Sequence, residues 1–489
     1  MVDLVTQRSP FIDGKFISGD GPALEVVNPA TEEVIATVET VSLGQLEGAI
    51  QTARRTFDEG VWANTPAVER AKVVTRMAEY LRSKRDAIVD TVIAEAGAPY
   101  HNATAIQVDA PIEHAFRIPE IFLAMPEYEH NAQKLTSLAV SGKVANSINR
   151  FEPIGVVTAI SAYNFPFYLD VWKALPGIMA GCSVNLRPSP LTPLSAMWLG
   201  EAADAAGLPP GVLNVIIDNA VEGGKLLTSH PAVDMVTFTG STPVGRSIMA
   251  QAAETVKKVH LELGGKSAAI YLPDSVDDAW QMGLGVFVSH SGQGCAICTR
   301  LVVPQDRKQD VIDKILEFAP MLPIGDPTSP DTMMGPLITA AQREKSEKYT
   351  QLAVDAGATL VYGGKRPENL DKGYYFEPTI LDVPDNSNPA AQDEIFGPVL
   401  TVLGYEDVDD AVRIANDSIF GLGGMVYGKD VNQAISVAEK IRTGTVWINT
   451  AAPSADAPFG GYKQSGIGRE MGVHGFREYQ EIKHLYIGS

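Results

Sequence analysis

Between positions 156 and 304, short β-branched runs alternate with longer stretches that carry apolar residues at helical spacing. VVTAIS is followed by FYLDVWKALPGIMAGC, SVNLR by the segment 192–206, and VLNVII closes this first series. The short runs read as strands and the longer segments as helices. The rhythm continues with MVTFTG, a helix opening at Ser241 or Thr242, VHLELGG, SAAIYL, a helix from about Asp274, and TRLVVP. Repeated strand–helix–strand units predict a parallel sheet and a doubly wound α/β architecture.

The flanks are patterned differently. FIDGKFIS predicts a β-hairpin with its turn at Asp13-Gly14, and helices follow, among them 67–83 with a charged outer face. These first hundred residues are expected to form an arm and a cover for the α/β core. SLAVSGKVANSINRFEP alternates weakly between two helical stretches, and HLYIGS at the end is another short strand. Isolated strands need partners, so they are expected to pair with each other or with another subunit. No internal repeat or low-complexity tract interrupts the pattern.

Composition narrows the class. A chain of 489 residues, 45% hydrophobic, exceeds what one core usually supports, so two or more domains are expected. The formal charge of −20 comes from acids spread along the chain, which reads as a solvated surface, and no basic patch suits a nucleic acid. Three cysteines, Cys182, Cys295 and Cys298, are too few for a disulfide framework and favour a reducing compartment, by default the cytoplasm. The N-terminal stretch has acids and glycines where a signal peptide needs an apolar core. No run of about 18 apolar residues occurs, so neither secretion nor membrane spanning is expected. No histidine stands at metal-ligand spacing with another His or Cys, so no metal is implied.

The candidate chemistry centres on SGQGCAICTR, where glycines at 292 and 294 let backbone and ligand approach Cys295. A lone cysteine is more often an inert buried one. The neighbouring blocks change that: AYNFP at 162–166, FTGST at 238–242, LELGGK at 261–266, GQGC at 292–295, EIFGPV at 394–399 and PFGGYKQSGIGRE at 458–470. In this order and spacing the chain resembles the aldehyde dehydrogenase superfamily over nearly its whole length. The resemblance implies an α/β subunit of three parts: a Rossmann-type cofactor domain (1–133 and 154–258), a catalytic domain (259–470), and a small β oligomerisation element (134–153 and 471–489). Dimers or tetramers are expected.

The resemblance also implies roles. Cys295 is the nucleophile that forms a thiohemiacetal able to expel hydride toward nicotinamide. Asn164 is an oxyanion donor beside the backbone N–H of Cys295; its alternative reading is an Asx-turn before Pro166. Glu262 is the base that activates water for thioester hydrolysis, with a structural ion pair as its alternative. Lys173 matches a lysine beside the active site. His260 reads as an ordinary sheet residue. Cys298 lies close enough to contact Cys295 if this stretch is helical, and reads as a packing residue or a redox partner.

At the cofactor end, FTGSTPVG ends a strand and opens a helix, so that backbone N–H groups and Ser241 meet a pyrophosphate at the positive helix terminus. Gly240 and Gly245 carry that match, although the spacing is not the G-x-G-x-x-G fingerprint. The resemblance adds Ser161, Val244, Leu263 and Gly264 as cofactor contacts, Glu394 against the nicotinamide ribose, and Phe396 beside the ring. The family's K-P-[SA]-E-x-T-P reads RPSPLTP here, with Arg187 for Lys and Pro190 for the Glu that repels a 2′-phosphate. Arg187 and Ser189 then tolerate NADP, whereas Asp218 disfavours it. NAD is expected, with NADP possible.

Phe165, Leu169 and Trp172 fall where the family lines its aldehyde tunnel, which suits an apolar or aromatic aldehyde, or else merely mark the core face of a helix. Two other functions compete. A CoA-acylating semialdehyde dehydrogenase would use the same cysteine but typically lacks the base. A non-catalytic member would show decay of the nucleophile, base or oxyanion donor, and all three are present.

Overall fold

In the computed structural model, which describes residues 6–132, 145–452 and 454–488, the strand Val156–Ile160 is buried at every position. Its side chains divide between two cores, with Val157 and Ala159 in one and Val156 and Ile160 in the other. A strand apolar on both faces needs cover on both. It lies inside an eight-stranded sheet ordered Lys15–Phe16, Phe11–Ile12, Leu213–Val215, Ser183–Arg187, Val156–Ile160, Met235–Thr239, Lys258–Glu262 and Gly466–Ile467. The strands from Leu213–Val215 to Lys258–Glu262 run parallel, and the outer ones join antiparallel.

The strand order reverses beside Val156–Ile160. The chain builds outward to Leu213–Val215, then returns to lay Met235–Thr239 and Lys258–Glu262 on the other side. The carboxyl ends of Val156–Ile160 and Met235–Thr239 flank this reversal, which is where doubly wound sheets hold ligands.

A second sheet of seven strands follows the same logic: Ala268 and Ile270 face one core, while Ala269 and Tyr271 face another. Its order is Thr359–Tyr362, Thr379–Asp382, Val399–Tyr405, Arg300–Pro304, Ala268–Tyr271, Gly423–Tyr427, Thr445–Ile448, parallel except for the first pair. A three-stranded sheet joins Gln480–Gly488, Ala145–Pro153 and Tyr128–His130. The two weakly patterned strands therefore pair with each other, antiparallel from Gln480↔Pro153 to Gly488↔Ala145. The part of that segment over 133–144 lies outside the described residues.

Local chemistry sets the element ends. Pro166 opens the helix Pro166–Ala180, and Gly181, at φ 103°, ends it in a conformation closed to other residues. The hairpin turn has positive φ at Asp13 (54°) and Gly14 (74°), as a two-residue hairpin requires. The helix expected over 192–206 begins at Leu194, because Pro193 keeps Thr192 out of helical geometry. The free N–H groups of Leu194 and Ser195 donate to the buried Glu95 carboxylate (2.8 and 2.9 Å). From Asp274 the chain makes only a 3-10 turn at Val276–Asp278 before the helix Ala279–Val288.

Two pieces near the C-terminus join the first sheet and its core. Gly466–Ile467 closes the first sheet, and in the helix Gly472–Glu478 Phe476 packs into the first core against Phe122 (5.3 Å between rings). Among the described residues no helix is long and apolar enough to cross a membrane.

Candidate active site

Cys295 sits on a loop held by its neighbours rather than by regular structure. After the helix Ala279–Val288, His290, Ser291 and Gly292 take positive φ in succession (48°, 55° and 75°), which folds the chain tightly back. Gln293 then fixes the loop: its Nε2 donates to Pro336 O (3.4 Å), its Oε1 accepts from Ile338 N (3.0 Å), and its carbonyl accepts from Asn164 Nδ2 (2.9 Å). Cys295 is part-buried. Burial, then the Glu394 and Glu262 carboxylates, push its thiol up to about 12, so the resting form is protonated.

Asn164 follows the strand Val156–Ile160 and is 4% exposed. An amide nitrogen carries two hydrogens, and only one is used on Gln293 O, so the second is free to meet an oxyanion. Glu262 ends the strand Lys258–Glu262, enclosed at 3% exposure with neither carboxylate oxygen hydrogen-bonded. Burial and the Glu470 carboxylate hold its pKa well above the usual carboxylate range. Cys295, Asn164 and Glu262 line one cleft of about 340 Å³.

The same cleft takes in Ser189, Gly240, Ser241, Val244, Leu263, Gly264, Glu394 and Phe396. Ser241 stands at the N-cap of the helix Thr242–Ala252 without a side-chain cap bond, and no acid occupies the first turn. That open terminus fits the phosphates of a dinucleotide. Glu394 is fixed by Gly265 N (2.9 Å), and a Cβ on Gly264 would stand 2.5 Å from its Oε2, so the glycine lets the carboxylate in. Phe396, at φ 64°, meets Tyr163 edge-on (6.0 Å).

Seven of the expected residues do not line the cleft: Phe165, Leu169 and Trp172 of the expected aldehyde tunnel, and four of the catalytic and cofactor residues. Ser161 turns its hydroxyl to the buried Asp170 (2.5 Å). Gly245 serves packing, since a Cβ there would stand 2.7 Å from Leu263 Cδ2. Arg187 is held by Asp218, whose Oδ2 accepts from Nε (3.1 Å) and Nη2 (3.0 Å). Lys173 is fully enclosed and donates to Glu470 (2.7 Å) and to Thr237 Oγ1 (3.1 Å). Cys298 is buried in the second sheet's core. The stretch 295–298 is a turn rather than a helix, so the helical contact between the two thiols does not arise.

After Asn164 the aromatic side chains pack on one another and into the first core. Phe165 meets Tyr168 (6.5 Å), Tyr168 meets Trp172 (4.3 Å), and Trp172 meets Phe459 (6.1 Å). Leu169 is half-buried on the same helix. Trp172 donates its indole N–H to His114 Nδ1 (2.9 Å), which fixes the ring.

Sequence reasoning passed over several contributors. Gln342 and Lys345 line the cleft and clamp the EIF segment: Gln342 donates to Ile395 O and Phe396 O (2.8 Å each), and Lys345 to Glu394 O (2.8 Å). They lie in AAQREKSEKYTQ, which reads as a solvated helix and carries no local signal. Glu470 lies in PFGGYKQSGIGRE and Thr237 in MVTFTG, but nothing in sequence pairs them with Lys173. Among the described residues no cluster of His, Cys, Asp and Glu has metal-site geometry.

The model of the "Aldehyde dehydrogenase family" matches residues 16–485. A putative aldehyde dehydrogenase of Bacillus subtilis (strain 168), DhaS, is 36% identical over 482 residues, covering 98% of this chain and 95% of its own. A mutant of aldehyde dehydrogenase C from Pseudomonas syringae, solved with NAD+ and octanal, superposes with a TM-score of 0.92 at 37% identity (98% and 96% covered). The betaine aldehyde dehydrogenase of Staphylococcus aureus, solved with NAD+, gives 0.94 at 35% (98% and 94%).

Proposed function

The chain belongs to the aldehyde dehydrogenase family, and on that premise we propose that it oxidises an apolar or aromatic aldehyde to the carboxylic acid with NAD+, through a thiohemiacetal and a thioester on Cys295. The observation that carries the reading is the convergence of nucleophile, oxyanion donor and unpaired carboxylate on one cleft that also holds the open helix terminus.

When bound, NAD+ supplies the hydride acceptor and a positive ring whose charge opposes the carboxylates that keep Cys295 protonated. Cys295 loses its thiol proton to water of the open cleft, the thiolate adds to the aldehyde carbon, and the new oxyanion meets the spare N–H of Asn164 and the backbone N–H of Cys295. Loss of hydride from that carbon leaves a thioester. Glu262 takes a proton from water, the hydroxide adds to the thioester carbon, the C–S bond breaks, and the acid leaves. A carboxylate free of hydrogen bonds and held less acidic than usual suits that role. The same base supports hydrolysis over transfer of the acyl group to CoA.

The aromatic cluster of Phe165, Tyr168, Trp172 and Phe459 that follows Asn164 supports the substrate class. The choice of NAD+ over NADP+ rests on Arg187: its guanidinium is already bound by Asp218, so it offers no spare charge to a 2′-phosphate, and Asp218 would repel one. Assembly as a dimer or tetramer is supported by the exposed apolar residues of the strand Gln480–Gly488, and a cytoplasmic place by the scarcity of cysteine.

Replacing Cys295 with Ala is expected to lower turnover by about 10⁴-fold or more while NAD+ still binds; retained turnover would refute the nucleophile. An aldehyde panel run with both cofactors, followed by reduced-nicotinamide absorbance, tests the rest. Medium-chain and aromatic aldehydes should give the highest kcat/KM, and a preference for a cationic aldehyde would overturn the substrate class.

A further inference from the structure

The stretch 264–267 crosses from the strand Lys258–Glu262 of the first sheet to the strand Ala268–Tyr271 of the second. Its Gly265 N–H holds the Glu394 carboxylate (2.9 Å), and its last two side chains, Lys266 and Ser267, are enclosed (2% and 3% exposed). Arg300 opens the neighbouring strand Arg300–Pro304, pairs with Ala268 and is as deeply enclosed (2%). With Gly423 and Thr443 these three residues line a cavity of about 10 Å³, room for one water-sized sphere.

Two cations on the wall of one small cavity call for negative charge, because an enclosed charge is costly unless it is paired. Arg300 commits four N–H bonds to neutral oxygens: Nε to Lys266 O (2.9 Å), Nη1 to Asn386 Oδ1 (2.9 Å) and Ile414 O (2.8 Å), and Nη2 to Ala415 O (2.9 Å). A guanidinium carries five, so one remains. Lys266 donates no hydrogen bond among the described residues, and neither cation is in an ion pair there. The carboxylates that act on them are Glu394 and Asp393 on Lys266, and Asp417 on Arg300. Glu394 is turned to Gly265 N, and Asp417 accepts from Asn386 Nδ2 (3.1 Å). Burial accordingly pushes Lys266 down to about 7 and Arg300 to about 10. A second observation points to the same ligand chemistry: Ser267 Oγ is buried without a hydrogen-bond partner. Gly423 keeps the space beside it free, since a Cβ there would stand 3.3 Å from that oxygen.

We infer that Lys266, Ser267 and Arg300 form a binding site for one monatomic anion, chloride in ordinary salt solutions, where the two large sheets meet. The site shares no lining residue with the cleft of Cys295 and does not depend on the reaction assigned to it. The three side chains bring donors to the cavity and almost no acceptor. That suits an anion better than a water, whose own hydrogens need acceptors. Size selects the class: a halide is only slightly larger than a water, whereas sulfate, phosphate and carboxylates do not fit. No bond is made or broken, and the anion neutralises charge that burial leaves uncompensated. An anion beside Lys266 also favours its ammonium form, with Arg300, Glu394, Asp393 and Lys345 the other charged groups that face it. Chloride affinity is therefore greatest while Lys266 is protonated and weakens as the pH rises through its pKa.

The test uses the whole enzyme. Crystals equilibrated with bromide, with diffraction recorded at the bromine edge, should show an anomalous peak in contact with Lys266, Ser267 and Arg300. A water-sized peak there without anomalous signal overturns the site. In solution the melting temperature should rise saturably as chloride replaces acetate at constant ionic strength, and by more at about pH 6 than at about pH 9. Ser267→Ala removes one donor to the anion and should raise the chloride midpoint about tenfold. Gly423→Ala crowds the cavity and should abolish the chloride response. A response that acetate reproduces, that grows with pH, or that both variants leave at the wild-type midpoint overturns the site.

Discussion

Two residues on one strand face show what a sequence reveals and what it hides. Glu262 is legible because a carboxylate inside an apolar run is costly to bury and therefore asks for a reason. His260 is not, because period-two alternation gives it the same inward direction and a polar neighbour across the sheet is enough to explain it. Only the distances show its free nitrogen facing Glu262. Asn164 is the converse case: AYNFP marks it, and the structure adds that one of its two N–H bonds is already committed to Gln293 O. Asn164→Ala should lower the rate of the hydride step by about 10²- to 10³-fold, read from the first equivalent of reduced cofactor, with NAD+ affinity unchanged. The pH dependence also belongs at this scale. Glu262 is a base only when ionised, and its pKa is held well above the usual carboxylate range. Thioester hydrolysis should therefore rise with pH from mildly acid conditions upward, later than an exposed carboxylate would allow. Glu262→Gln should remove that limb; if the limb persists, the base is another group. Asp218→Gly should free Arg187 and raise kcat/KM for NADP+ relative to NAD+, and an unmoved ratio would remove the pair from cofactor choice.

At the scale of elements, helices and strands were legible wherever a periodic run met a stop signal, as with Pro166 and Gly181 around the helix that carries Lys173. Ends set by tertiary partners were not. The helix Leu194–Ala206 owes its start to Pro193 and to the carboxylate of Glu95, about a hundred positions earlier in the chain. The helix Thr242–Ala252 opens its first turn on the cleft with no acid and no side-chain cap, which is the basis for the proposed phosphate site. Ser241→Asp separates its two roles. An aspartate is as good an N-cap as serine, and its charge favours the helix by about 0.3–1 kcal/mol. The same charge repels a pyrophosphate. The variant should match or slightly exceed the wild-type melting temperature while its KM for NAD+ rises about tenfold; an unchanged KM would place the phosphates elsewhere.

For the whole molecule, the doubly wound core could be read because strands covered on both faces leave a plain signature, as Val156–Ile160 and Ala268–Tyr271 do by dividing their side chains between two cores. The third sheet could be read only as strands in need of partners, because a weakly alternating strand does not specify its neighbour. Its terminal strand Gln480–Gly488 pairs on one side with Ala145–Pro153, and among the described residues nothing pairs with its other side. Ile482 and Tyr486 fall on one face of that strand, 65% and 56% exposed. An edge of nine residues carrying large apolar side chains invites association unless another chain covers it. Ile482→Lys combined with Tyr486→Lys should therefore shift a wild-type dimer or tetramer toward monomer in sedimentation velocity and lower its melting temperature, while the isolated cleft keeps its cofactor affinity. A wild-type chain that sediments as a monomer at micromolar concentration would leave this edge without the role its exposure suggests.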